Sequence, residues 1–320
     1  LLLSLIICCV QQNTFGQTNP NFYLHANGVT CLCPNAAVGE TGTVNGVTYT
    51  KRTRDLITEA NASTTCTSGI TDMSVLFQSS AFNGNISSWD VSKVTNMNGM
   101  FSGATSFNQP IGNWDVSNVI NMRAMFYLAK AFNQPIGNWN VSMVTDMAQM
   151  FNGATSFNQP IGNWDVSNVT SMSSMFSGAT NFNQPIGNWD VSNVTSMFGM
   201  FFRAEAFNQP ISNWDVGNVT NMGRMFQSTK SFNQPIGNWN ISKVTDVSYM
   251  FSSAIAFNEN IANWNVSNVT NMEQMFYNAT NFNQPIGLWN VSSAIEVDEM
   301  FVGASMFNQD LGSWCEKWGK

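Results

Sequence analysis

The chain has 320 residues, of which 43% are apolar and only 10% charged, and its 19 acids and 12 bases give a formal charge of −7. That balance excludes a nucleic-acid binder, which needs clustered Lys and Arg against phosphate, and a polybasic membrane anchor. A single histidine, His25, excludes histidine triads and His-rich metal centres and leaves a core-rich, Asn/Ser/Thr-decorated chain better suited to structure or adhesion than to catalysis.

The first element runs from Leu1 to Gly16. Its apolar stretch of about ten residues is too short to cross a bilayer and fits the hydrophobic region of a secretion signal. Thr14 and Gly16 supply small residues before Gln17. Residues 1–16 are therefore expected to be a signal peptide that has lost its first residues, which places the protein outside the cell.

Residues 17–70 follow as a cysteine-containing N-terminal cap. In an exported chain Cys31, Cys33 and Cys66 are disulfide candidates rather than thiols. Cys31 and Cys33 are too close to pair with each other comfortably, so Cys66 is expected to join one of them. The sequence does not say which.

From Thr71 to Trp314 the chain repeats. Trp89, Trp114, Trp139 and their successors to Trp314 recur every 25 residues without insertion, and Phe82 to Phe307 keep the same step with Asn following each time. Within a unit, Trp114 and Val116 alternate with Asn113, Asp115 and Ser117, the signature of a short half-buried strand. Val119, Met122, Met125, Phe126 and Ala129 then recur at helical spacing. The expected fold class is α/β: a leucine-rich-repeat-like solenoid of about ten strand–helix units with a parallel sheet on one face. Such units cannot bury their apolar faces alone and must stack. The Asn108-type column is expected to form an asparagine ladder that satisfies turn backbone groups. Seventeen of nineteen methionines fall on the repeat or its first degenerate copy, which assigns them to core rather than to metal. Residues 315–320 are expected to be an incomplete C-terminal cap.

The recurring string MF-x-x-A-x-x-FNQPIGNWDVSNVTNM resembles that of BspA-like bacterial surface proteins, and 71–314 match it throughout. The segments Gly28–Pro34, Thr48–Asp55 and Cys66–Met73 are similar to the leader module that precedes such repeats. The resemblance implies an exported surface protein that adheres to host or matrix proteins, with no catalytic residues and no cofactor.

Function must then lie on the surface. One candidate face comprises Asn113, Asp115, Ser117, Asn163, Asp165, Ser167, Asn188, Asp190, Ser192, Asn213 and Asp215, a flat polar strip facing either a ligand or only water. Asp165, Asp190 and Asp215 stand consecutively in one column; they are read as a solvated face or as carboxylates sharing a calcium ion. The variable positions opposite hold Arg123, Tyr127, Lys130, Gln149, Arg203, Arg224, Tyr249, Glu273 and Tyr277. There Phe198 and Phe202 form an off-pattern aromatic pair, a contact hot spot or a packing adjustment. The expected partner is a protein or glycan at the cell surface, reached by a non-catalytic adhesion scaffold. The alternatives are a stalk or filament subunit that self-associates end to end, and a carbohydrate- or ice-binding sheet.

Overall fold

A computed structural model describes residues 19–314. The expected signal peptide and Cys315 with the rest of 315–320 lie outside the described residues. Five short strands belong to the cap: β1 (Tyr23–Leu24), β2 (Cys31–Leu32), β3 (Thr41–Val44), β4 (Val47–Lys51) and β5 (Thr65–Cys66). β1 pairs antiparallel with β2, while β3 and β4 form a hairpin against which β5 lies parallel. A small core of Phe22, Cys31, Cys33, Val44, Tyr49 and Cys66 sits between these strands. Cys33 and Cys66 are joined by a disulfide, which chooses between the two expected pairings, and Cys31 is a buried free thiol.

The repeats stack as expected but not from the expected elements. There is no α-helix among the described residues, and no helix is long and apolar enough to cross a membrane. The units pair through one residue each: Asp72, Asn96, Asn121 and onward to Glu296 form nine consecutive parallel bridges. The strand expected at Trp114–Val116 is in no ladder. Its alternation is real, since Trp114 and Val116 are buried and Asp115 is exposed, but its backbone runs between turns.

The segment expected to be a helix is a run of β-turns. Met100 N–H donates to Met97 O at 3.2 Å and Ser102 N–H to Gly99 O at 3.0 Å, closing three-residue steps instead of helical four-residue ones. The intervening amides leave the unit altogether. Met97, Gly99, Phe101 and Gly103 donate to the carbonyls of Asn121, Arg123, Met125 and Tyr127 in the next unit at 2.6–2.9 Å.

What turns these amides outward is a left-handed backbone. Every unit places two residues, four apart, at φ between 50° and 77°, as at Ala124 and Leu128. Fourteen of these twenty positions are not glycine. Left-handed backbone costs an ordinary residue about 1–2 kcal/mol. The return is an inter-unit hydrogen bond for a group that would otherwise be buried unsatisfied. Spacing of three and four reports which side chains face inward, and turn runs and helices share it. Met122, Met125, Phe126 and Ala129 are accordingly all fully buried without a helix.

Three aromatic columns run through the core. Phe101 and Phe126 stack at 5.7 Å between ring centres, Phe107 and Phe132 at 6.1 Å, and Trp114 and Trp139 at 6.5 Å. Within a unit Phe101 and Phe107 lie 3.8 Å apart, which ties two columns together. From Trp114 to Trp289 each indole N–H reaches back a unit, as Trp139 Nε1 does to Ile111 O at 3.1 Å, whereas the buried Trp314 Nε1 has no partner among the described residues. The result is a mostly irregular solenoid-like stack of 25-residue units, held by repeated cross-unit contacts rather than by regular secondary structure.

Candidate functional site

The expected asparagine ladder is present. Asn133 N–H donates to Asn108 Oδ1 at 2.9 Å, Asn158 N–H to Asn133 Oδ1 at 3.0 Å, and the pattern continues to Asn308. A Gln beside the rung adds a second donor, as Gln159 Nε2 does to Asn133 Oδ1 at 2.9 Å, except where Glu259 replaces it. This column is structural: its oxygens are already engaged.

The candidate polar face is also partly engaged. Asp115 Oδ1 accepts the N–H of Ser117 at 3.1 Å, and Asp165 and Asp190 accept from both the backbone and the hydroxyl of Ser167 and Ser192. Asp215 accepts from Gly217 N–H at 3.0 Å. These are Asx-turns, in which a short side chain replaces a backbone acceptor. Asn140, Asn240, Asn265 and Asn290 make the same bond to Ser142, Ser242, Ser267 and Ser292. The column therefore needs a carbonyl-like oxygen, and Asp or Asn supplies it equally. The Ser192 hydroxyl and amide hold the Asp190 carboxyl below its ordinary value. Asn163, Asn188 and Asn213 are exposed beside this column, whereas Asn113 Nδ2 bridges to Ser87 O at 2.8 Å.

A second amide ladder was not foreseen. Asn118, Asn168, Asn193, Asn218 and Asn268 each donate Nδ2 to a serine carbonyl of the preceding unit at 2.7–2.8 Å. The recurrence of Asn at multiples of 25 residues, three places after the Asp or Asn column, was the available signal.

The opposite surface is built by the turn runs, so the expected helix face is a turn face. Phe198 is 37% exposed and Phe202 half-buried, both on the run 198–203. The Arg203 guanidinium lies 5.0 Å from the Phe202 ring centre, and that of Arg224 lies 4.7 Å from the Tyr249 ring centre. Tyr249 Oη donates to Glu273 Oε1 at 2.5 Å, and that bond, with burial and the carboxylate charge, raises the phenol above its ordinary value. Lys230 pairs with Glu205 at 2.9 Å. Arg203, Arg224 and Tyr249 all sit at left-handed positions, with φ of 56°, 59° and 55°.

The cap meets the array through a polar junction. Asp90, first in the acid column, is buried; it accepts the Ser68 hydroxyl at 2.6 Å, and Cys31 N–H donates to Ser88 O at 2.8 Å. Burial, reinforced by the Asp90 charge, pushes the Cys31 thiol up to about 12. Among the described residues no group of three His, Cys, Asp or Glu side chains is placed to hold a metal ion.

A family profile described as "Mycoplasma protein of unknown function, DUF285" matches residues 50–162, 134–234 and 209–314. The chain belongs to the DUF285 family. Its ladders and aromatic columns are thus features of a DUF285 repeat array. No curated protein matches it. Among solved structures it is similar to a chain described as "Crystal structure of TLR13-ssRNA13 complex", at 10% identity and a TM-score of 0.25. The match covers 77% of this chain and 50% of that one, and so slight a likeness carries neither fold nor ligand.

Proposed function

We propose that the DUF285 array is an exported, non-catalytic adhesion scaffold of the leucine-rich-repeat type found in BspA-like surface proteins, and that it grips a protein partner with its turn face. The observation that carries the reading is the placement of Arg203, Arg224 and Tyr249. Other units fill the equivalent left-handed positions with Gly103, Gly99 and Gly199, which adopt them freely. Leu128, Gln149, Gln274 and Glu299 share this backbone, so what distinguishes Arg203, Arg224 and Tyr249 is their side-chain chemistry. Arginine and tyrosine are also the residues that dominate protein interfaces, and exposed Phe198 adds an apolar anchor. The polar face supports the reading less, because its acid and amide oxygens are engaged in Asx-turns.

The test is surface plasmon resonance against immobilised extracellular-matrix proteins. A Phe198→Ser, Tyr249→Ser double variant should lose at least about tenfold in affinity, as hot-spot truncations do. Asp165→Asn with Asp190→Asn should bind as the unaltered chain does. The opposite pattern, or no binding to any protein surface, overturns the proposal.

A further inference from the structure

The cap holds a cavity that the array does not account for. Only 12 of 320 residues are basic, yet Lys51, Arg52 and Arg54 fall within four consecutive positions. β4 ends at Lys51 and a short 3-10 turn starts at Arg54, so the chain bends between them. All three line one cavity of about 500 Å³. That volume lies within the roughly 300–1,000 Å³ usual for small-molecule sites.

Each of these cations is held in part by a neutral oxygen. Lys51 Nζ donates to Ser68 O, and Arg54 Nη2 donates to Ser74 O. Arg52 Nη1 donates to Thr64 O at 3.2 Å and to Thr65 Oγ1 at 2.9 Å. Its Nε and Nη2 make no hydrogen bond among the described residues, so one edge of the guanidinium fork is open. Two carboxylates share the cavity. Asp55 lies 3.5 Å from Arg54 and its side chain is 88% exposed. Asp72 is engaged, accepting Ser74 N–H at 2.7 Å and Asn96 Nδ2 at 3.2 Å. Three cations and two acids line the cavity, and the Asp90 charge behind Ser68 acts on Lys51, so the cation left without a carboxylate partner among the described residues is Arg52. Burial lowers the Lys51 ammonium from its ordinary value, and the Asp90 charge opposes part of that shift.

We propose that this cavity binds a carboxylate- or sulfate-bearing saccharide, with the anionic group on the Arg52 and Arg54 guanidiniums. Planar guanidinium suits both oxyanions because it offers paired donors. A lone anion would fill a small part of the space. Thr53 and Thr71, both exposed, line the remainder with hydroxyls, which suits a polyol, while the Ser68 hydroxyl is spent on Asp90. The site goes beyond the adhesion reading: it lies where the cap meets the first unit, away from the turn-face residues 198–249, and its ligand is small enough to be tested without any protein partner.

The experiment is titration calorimetry of the full chain with two probes, a hexuronate disaccharide and a sulfated disaccharide, at low salt and at about 150 mM salt. The tighter of the two identifies the anion. Arg52→Gln and Arg54→Gln should each weaken it about tenfold or more, as expected for losing a charge-assisted pair. Lys243→Gln, which removes the same unit charge from the exposed array surface, should not. Inorganic sulfate should compete with the bound probe on the unaltered chain, which tests the anion site even if an arginine variant misfolds. Absence of heat with both probes, failure of sulfate to compete, or an equal loss in Lys243→Gln overturns the proposal. A tetraglutamate peptide that binds as tightly, with the same arginine dependence, overturns the saccharide assignment.

Discussion

Replacing Asn183 with alanine removes one rung of the asparagine ladder and isolates what the rung contributes. Asn183 Oδ1 accepts two hydrogen bonds, from Asn208 N–H at 3.0 Å and from Gln209 Nε2 at 2.9 Å, both partly buried. Alanine leaves the Asn208 amide without its acceptor, a cost of about 1–3 kcal/mol, and frees the glutamine for a further loss of about 0.5–1.5 kcal/mol. The expected destabilisation is about 2–4 kcal/mol. Asn183→Asp separates the cause from mere side-chain loss, because the carboxylate keeps the accepting oxygen. It should recover most of the stability, and Asn183 N–H can still donate to Asn158 Oδ1. Urea denaturation followed by tryptophan fluorescence measures both variants. Hydrogen exchange at the Asn208 amide should accelerate in the alanine variant and stay slow in the aspartate one. Because such arrays add up nearest-neighbour terms, the loss should centre on the units flanking the rung. An alanine variant with unchanged midpoint, or an aspartate variant as unstable as the alanine one, refutes the reasoning.

Other consequences can be checked on the same material. Trp189 is 3% exposed and donates Nε1 to Ile161 O at 3.1 Å, so Trp189→Ala should cost about 3–5 kcal/mol in a melting experiment. Gly178 has a φ of 66°, and a Cβ there would meet the Gly153 backbone at 3.6 Å without clashing, so Gly178→Ala should cost about 1 kcal/mol from backbone strain, and Gln149→Gly, at a φ of 60°, should shift the melt the other way. Peptide mapping without reduction should recover a Cys33–Cys66 crosslink, and reduction should remove about 2–4 kcal/mol from the cap. With the Cys31 thiol pushed up to about 12, the unfolded chain ionises first as pH rises above its ordinary thiol value. Stability from this group is therefore complete at neutral pH and declines towards pH 12; alkylation of Cys31 at pH 8 should be slow until the chain unfolds.

The repeat, its buried residues and the ladder were legible because each rests on recurrence. An Asn or Trp that returns every 25 residues must meet its own copy when units stack. The backbone was not legible. Val119, Met122, Met125 and Phe126 record only which way side chains face, and a chain of turns satisfies that spacing as well as a helix does. The decisive clue was weaker: Gly99, Gly103, Gly153 and Gly178 recur at the positions where amides rotate outward, but fourteen other residues mask the pattern. The Asp115-type column was recognised as exposed, but its purpose was not. Asp and Asn alternate there because an Asx-turn asks only for an oxygen. Lys51, Arg52 and Arg54 were visible as a short basic run, yet their convergence on one cavity depends on the bend after β4.

The uniform junction between units has a consequence at the level of the gene. Residues 157–170 and 182–195 are the same fourteen-letter string, FNQPIGNWDVSNVT. Near-identical coding segments invite unequal crossing-over. Because the upper side of each unit fits the lower side of every other, a crossover in register would add or delete whole units without creating a foreign junction. The geometry that spends left-handed backbone on cross-unit bonds thereby makes array length, and the spacing of whatever the turn face carries, open to rapid inherited change.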